Sequence, residues 1–150
     1  MPQSLSNVLI HTVFSTKNRT PAFTDHTLRT ETHSYLAGVA KTLDCFPISI
    51  GGVEDHVHLL TTLSRTITIA DFIKETKRVT TNWLKKEKQI ENFQWQAGYG
   101  CFSVSESNRE SVIQYITNQE EHHKTMSFQD EYRKICEKYR VNLNEKFVWE

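Results

Sequence analysis

Apolar residues recur along this chain in two rhythms, and each switch between them marks a change of element. In residues 7–15, Val8, Ile10, Thr12 and Phe14 alternate with Leu9, His11 and Val13, so both faces are apolar and a largely buried strand is predicted. Ser15 to Phe23, interrupted by Pro21, predicts a loop. Thr24 or Asp25 can cap a helix with apolar positions Leu28, Tyr35, Leu36, Val39, Ala40 and Leu43. Cys45 to Ile50 predicts a second strand, ended by Gly51-Gly52, and His56 to Leu63 a third, with a hairpin between them.

Thr68 and Asp71 resemble a capping box, opening a helix to about Lys88 with Ile69, Phe72, Ile73, Thr76, Val79 and Trp83 inward. Residues 89–98 form a polar, aromatic loop with Trp95 and Gly98, and Tyr99 to Ser105 a fourth strand. Ser107 and Glu110 suggest a second capping box, for a helix with Val112, Ile113 and Ile116 on its apolar side. Phe128 to Tyr139 predicts a last helix before a polar tail containing Phe147, Val148 and Trp149. The order is β-α-β-β-α-β-α-α. Its first six elements follow the split βαβ pattern of α+β, ferredoxin-like (RRM-like) folds: an antiparallel sheet with helices packed on one face, here extended by C-terminal helices.

Composition narrows this picture. A length of 150 residues without repeats or a linker predicts one domain over 1–150, large enough for a real core. The hydrophobic share is 37% and the charged share 24%, as in ordinary soluble proteins. No apolar stretch nears the ~18 residues of a membrane span, and no secretory signal opens the chain, so a cytoplasmic protein is expected. Cys45, Cys101 and Cys136, odd in number and widely spaced, read as reduced thiols. Net charge is zero, yet Arg65, Lys74, Lys77, Arg78, Lys85, Lys86 and Lys88 face only Asp71, Glu75 and Glu87 in the same stretch. Such a patch can attract phosphates, or it can be a solvated helix face.

The candidate chemistry lies in two places. His56 and His58 stand one residue apart on a predicted strand, so both imidazoles face one side, with Val57 on the other. They could share a divalent cation, or form a polar or hydrogen-bonded pair on an open sheet face. Tyr115 and Gln119, four apart on a predicted helix, are neighbours at the margin of its apolar side. A half-buried tyrosine is the plainer account of the second pair. Together they suit attack on a phosphodiester: a tyrosine oxygen as nucleophile, and a cation held by two histidines and an amide oxygen with positions left open. Ligand softness alone favours manganese or zinc over magnesium. His122-His123 beside Glu120 and Glu121 reads as a solvated helix end. Trp83 reads as core, whereas Trp95 and Tyr99 could stack bases or pack inward. No Walker loop, His-Glu-x-x-His or Gly-x-Ser-x-Gly occurs.

Three stretches in order then carry a resemblance: His11-Thr-Val-Phe-Ser-Thr-Lys-Asn-Arg19, Asp55-His-Val-His-Leu-Leu60, and Trp95 to Ser105 followed by Tyr115-Ile-Thr-Asn-Gln119. Over nearly its whole length the chain resembles the single-tyrosine HUH (His-hydrophobic-His) transposases of minimal bacterial insertion sequences, with REP-associated transposases as relatives. The Asn-Pro that tends to follow the tyrosine helix in the REP-associated branch is absent, which favours the insertion-sequence branch. The resemblance implies His56, His58 and Gln119 as metal ligands, with magnesium or manganese as the metal. It implies Tyr115 as the nucleophile, leaving a 5′-phosphotyrosine and a free 3′-hydroxyl on single-stranded DNA. It further implies DNA hairpins at the element ends as substrate, and a homodimer in which the tyrosine helix of one subunit completes the histidine pair of the other. No other protein partner and no membrane is implied; the site of action is the bacterial cytoplasm, at the nucleoid. Lys17, Arg19, Lys74, Lys77, Arg78 and Lys85 are the candidate DNA contacts, from charge and position. The alternatives are a non-transposing HUH nickase, a hydrolase in which water attacks, and a nucleic-acid-binding module of the same fold; histidines in place of stacking aromatics on the central strand count against the last.

Overall fold

The two-sided apolar run near the start of the chain becomes β1 (Leu9–Ser15), buried at every position, in a computed structural model that describes residues 2–150. Three further strands, β2 (Pro47–Gly52), β3 (His56–Thr62) and β4 (Gly100–Val104), complete one sheet in the order β2-β3-β1-β4. All three pairings are antiparallel, with Ser15 opposite His56 and Val13 opposite His58. The fold is α+β, with the predicted split topology and β1 and β3 at its centre.

Side-chain alternation on those central strands divides the core in two. Ile10, Phe14, Val57 and Leu59 face α1 (His26–Thr42) and α2 (Ile69–Lys86), packing with Leu36, Ala40, Phe72, Ile73 and Leu84 and with Phe93 and Trp95 of the following loop. Burying one such side chain contributes ~1.5–3 kcal/mol relative to leaving it in water. The opposite face is covered by α3 (Arg109–Thr117), α4 (Gln119–His122) and α5 (Phe128–Lys138). There Leu9, Leu60 and Val104 pack on Ile116, while Val13 and Phe102 pack on Phe128, Tyr132 and Cys136. His56 and His58 alternate with Val57 and Leu59, so they point into this second layer, beneath the C-terminal helices.

The helix starts behave as their capping residues suggest: Asp25 accepts from the Thr27 amide, and Thr68 from the Asp71 amide at 3.0 Å. Other details differ from expectation. Ser107 and Glu110 form no capping box; residues 106–108 make a short 3-10 turn, and Asn108 precedes α3 without a side-chain cap. Ile69 is exposed, and Leu84 fills the inward position in the last turn of α2. Gly51 and Gly52 are the last two residues of β2 and are paired with β3, opposite His58 and Val57, rather than forming the turn after the strand. Their lack of side chains answers to close neighbours. A Cβ on Gly51 would meet the Ile116 carbonyl of α3 at 2.7 Å, and one on Gly52 (φ 156°) would meet the His56 carbonyl at 2.2 Å. The helix carrying Tyr115 pauses at Asn118 (φ −93°, ψ 19°), between α3 and α4. The backbone bonds Asn118 N–H to Gln114 and His122 N–H to Asn118 carry the turn through, so Tyr115 and Gln119 still face one way.

Candidate active site

Both imidazoles on β3 are fully buried, and each is fixed from behind through Nδ1. His56 Nδ1 lies 2.7 Å from the Asp55 carboxylate, which as an acceptor calls for an N–H there and leaves Nε2 facing inward. His58 Nδ1 lies 2.8 Å from Nε2 of His11, its diagonal neighbour on β1. A carboxylate or ring partner on the outer nitrogen is the usual means of orienting a ligating histidine.

The two inward Nε2 atoms converge on Glu131 of α5. Glu131 Oε1 lies 3.0 Å from His58 Nε2 and 3.3 Å from His56 Nε2. Gln119 is almost completely buried: its Oε1 lies 3.1 Å from His56 Nε2 and its Nε2 donates to Glu131 Oε2 at 3.0 Å. Tyr115 donates its hydroxyl to Glu131 Oε2. His123 joins from just beyond α4, with Nε2 3.1 Å from Gln119 Oε1 and 3.2 Å from Glu131 Oε1, and its Nδ1 2.6 Å from the Met126 carbonyl. His122 Nε2 lies 3.1 Å from Glu131 Oε2 without hydrogen-bond alignment. His56, His58, Gln119 and Tyr115 therefore meet within one chain.

The electrostatics follow from a carboxylate buried among imidazoles. Burial alone would raise Glu131, but bonds from His123, His56 and His58 outweigh it and hold the group far below the usual carboxylate range. Burial would likewise depress His56; the Asp55 and Glu131 carboxylates overcome that and raise it to about 9. His58 is lowered, by burial first. His11 is pushed down to about 3 by burial and then by the neighbouring His58. Burial and the Glu131 charge lift Tyr115 above the ordinary phenol value. Among the described residues the ion-pair partners of Glu131 are all histidines, and of these His56 is the one whose proton the two carboxylates favour. A divalent cation could replace that proton, and nitrogen and oxygen donors of this kind fit magnesium, manganese or zinc. His56, His58, His123 and Glu131 each offer one donor atom, all within 4.8 Å of one another.

A cleft of about 650 Å³ opens onto this cluster; Tyr115, Glu131, His122, Lys134, Lys138 and Ser103 are among its walls. The six candidate DNA contacts lie elsewhere. Lys74, Lys77, Arg78 and Lys85 line a groove of about 460 Å³ between α2 and the loop through Trp95 and Tyr99, on the far side of the sheet from Tyr115. Lys77 is turned inward, its Nζ donating to the carbonyls of Gln96 and Gly98, and burial lowers it to about 8. Arg78 is paired with Glu75. Lys17 and Arg19 sit on a 3-10 turn (Lys17–Arg19) just after β1. Trp95 is buried against Phe14, Phe23 and Phe93, so it is core and does not stack bases.

Sequence reasoning missed Glu131, and it took His123 for part of a solvated helix end. Glu131 carried a signal. It follows Phe128 by three and precedes Ile135 by four, so it occupies the inward stripe of α5 beside Tyr132, an apolar position filled by a carboxylate.

Fold and cluster together define a class: a small α+β domain whose central strand sets a His-hydrophobic-His pair against a helix-borne tyrosine. Residues 4–119 match the family of IS200-like transposases, and the chain belongs to that family, an enzyme family acting on DNA. A crystal structure of a protein from Deinococcus radiodurans R1 assigned as a transposase is similar, with TM-score 0.61 and 23% identity, covering 79% of this chain and 98% of that one. A REP-associated tyrosine transposase bound to a REP hairpin is similar with TM-score 0.60 and 13% identity, covering 82% of this chain and 72% of that one. At these identities both show the fold. No curated protein sequence matches the chain significantly. No helix among the described residues is long and apolar enough to cross a membrane.

Proposed function

We propose that this transposase cleaves and rejoins single-stranded DNA through a 5′-phosphotyrosine on Tyr115, with a magnesium or manganese ion held by His56, His58 and Gln119. The observation that carries it is the convergence of the Tyr115 hydroxyl, Gln119 and both β3 histidines on one buried point at the end of an open cleft. Tyr115 Oη attacks phosphorus, the bond from phosphorus to the 3′-oxygen breaks, the phenol gives up its proton, and the leaving 3′-oxygen takes one up. The freed 3′-hydroxyl later attacks the phosphotyrosine of another end and restores a phosphodiester, so each step exchanges one ester for another. When bound, the cation offsets negative charge on the phosphate and on Glu131, which otherwise keeps Tyr115 protonated. Asp55 and His11 hold the two imidazoles in register for it.

The substrate proposed is a hairpin at an element end. Its duplex would lie on the groove of Lys74, Arg78 and Lys85, with Lys17 and Arg19 beyond β1, while its single strand would pass round the sheet edge to the cleft of Lys134 and Lys138. The REP-associated relative was solved with a hairpin, which favours that class of substrate. A homodimer acting on nucleoid DNA in the cytoplasm completes the proposal, from family likeness.

The test uses hairpin oligonucleotides from the ends of the encoding element, labelled at the 3′ or the 5′ end. A 5′-phosphotyrosine retains the 3′-labelled fragment on the protein in a denaturing gel, needs manganese or magnesium, and disappears with chelator and in Tyr115→Phe. An adduct that persists in Tyr115→Phe, or cleavage without any adduct, contradicts the assignment.

A further inference from the structure

Residues 120–150 lie beyond the stretch that matches the family, yet they send two side chains into the heart of the site. We infer that Glu131 and His123 are metal ligands, so that α5 supplies a carboxylate, and the end of α4 a third imidazole, to the cation held by His56, His58 and Gln119. This rests on the metal reading of the β3 histidines.

Three features carry it. The first is tautomer. His56, His58 and His123 all bond outward through Nδ1, to Asp55, His11 and the Met126 carbonyl, and all three present Nε2 to the same point. A backbone carbonyl accepts, so His123 donates through Nδ1 and turns Nε2 toward Gln119 Oε1 and Glu131 Oε1, where a cation would take the place of any proton between them. The second is the division of labour within Glu131. Its Oε1 faces the three Nε2 atoms, while its Oε2 accepts from Tyr115 and Gln119. One oxygen can therefore ligate while the other aims the nucleophile. The third is burial: Glu131 is 1% exposed, in the inward stripe of α5, and among the described residues it is paired with histidines and with no arginine or lysine. A buried carboxylate without a fixed counter-charge is costly unless it coordinates or pairs. Three imidazoles, one carboxylate and one amide oxygen are five donors, which would leave a sixth position of an octahedral ion such as manganese for a phosphate oxygen. The centre would also pin α5 to the sheet, joining the C-terminal segment to the catalytic layer.

The experiment uses the full chain, stripped with chelator and titrated with MnCl2 by following the electron-spin resonance signal of the free ion. Glu131→Gln should weaken Mn2+ binding at least about tenfold, the loss that even the outer partner of a ligand can cause, and His123→Gln should weaken it as well. Because a variant can misfold, the wild type labelled with 15N-histidine gives a second reading: electron-spin-echo modulation should count three manganese-bound imidazoles, from His56, His58 and His123. Two imidazoles, with Glu131→Gln binding as tightly as wild type or tighter, overturn the inference and make the carboxylate a competitor of the metal; loss of binding in His58→Ala would still uphold the β3 centre. Wild type that binds no Mn2+, or binds it regardless of His58→Ala, removes both.

Discussion

Gly51→Ala tests whether the sheet surface sets the position of the nucleophile. Gly51 lies in β2 opposite His58, and the backbone of α3 rests directly on it. An added Cβ would stand 2.7 Å from the Ile116 carbonyl oxygen and 2.8 Å from Ile116 Cγ2, against the ordinary 3.4–4 Å. The shortfall is about 0.7 Å, and main chain cannot rotate away as a side chain can. Ile116 adjoins Tyr115 and precedes Gln119 by one turn, so relief lifts both from the histidines together. Overpacking of this kind costs ~1–3 kcal/mol, and a displacement approaching 1 Å at a reacting group can cost up to ~100-fold in rate. Adduct formation on a 3′-labelled oligonucleotide should therefore slow by roughly tenfold or more, at a temperature where urea titration shows the variant folded. Gly38→Ala is the control: no atom lies within 4 Å of its would-be Cβ on the exposed face of α1, and alanine there should stabilise by ~0.5–1 kcal/mol without changing the rate. A Gly51→Ala protein with the wild-type urea midpoint and wild-type adduct rate would refute the idea that α3 is seated on this glycine.

Three further outcomes can be checked. His33 on α1 is lowered to about 4, by burial and then Arg29, and its Nε2 has no partner. Between pH 6.5 and about 4 the unfolded chain holds more protons at this site, so its contribution, complete above pH 6.5, declines as pH falls. His33→Asn should lose ~1–3 kcal/mol less stability than wild type between pH 7.5 and 4.5 in urea titrations, and parallel losses would sink this assignment. Replacing Lys74, Arg78 and Lys85 together by Gln should lower the slope of log affinity against log salt by about 2–3 in hairpin-binding titrations, about one unit or less per lost phosphate contact; an unchanged slope places the DNA elsewhere. Mixing Tyr115→Phe with His58→Ala distinguishes two arrangements. Within-chain assembly, as the structure places these residues, predicts no adduct from the mixture, whereas recovered activity would mean that a partner's tyrosine helix enters the site.

Much of this was legible because local rules and tertiary structure agree. β1 and β3 carry unbroken apolar alternation, so their central place and the shared face of His56 and His58 followed from period two alone. Helix starts with a free-standing cap, Asp25 and Thr68, were equally readable. What failed depended on partners distant in sequence. Gly51 and Gly52 look like a turn in isolation, yet they are strand glycines because α3 and the His56 carbonyl approach them. Gln119 was expected at a margin and is buried, since α5 closes over it. Trp95 has a loop's neighbours in sequence and the core's in space. Glu131 and His123 lie 73 and 67 residues from His58 and His56, and no local spacing joins them.

The central claim is that Tyr115 becomes covalently bound to DNA. The most direct measurement is mass spectrometry of the tryptic digest after incubation with a hairpin oligonucleotide and Mn2+, followed by nuclease trimming. The account predicts a nucleotide 5′-phosphate on the peptide containing Tyr115, and its loss when chelator is present from the start. An unmodified Tyr115 peptide alongside cleaved oligonucleotide, or a nucleotide on any other residue, would contradict it.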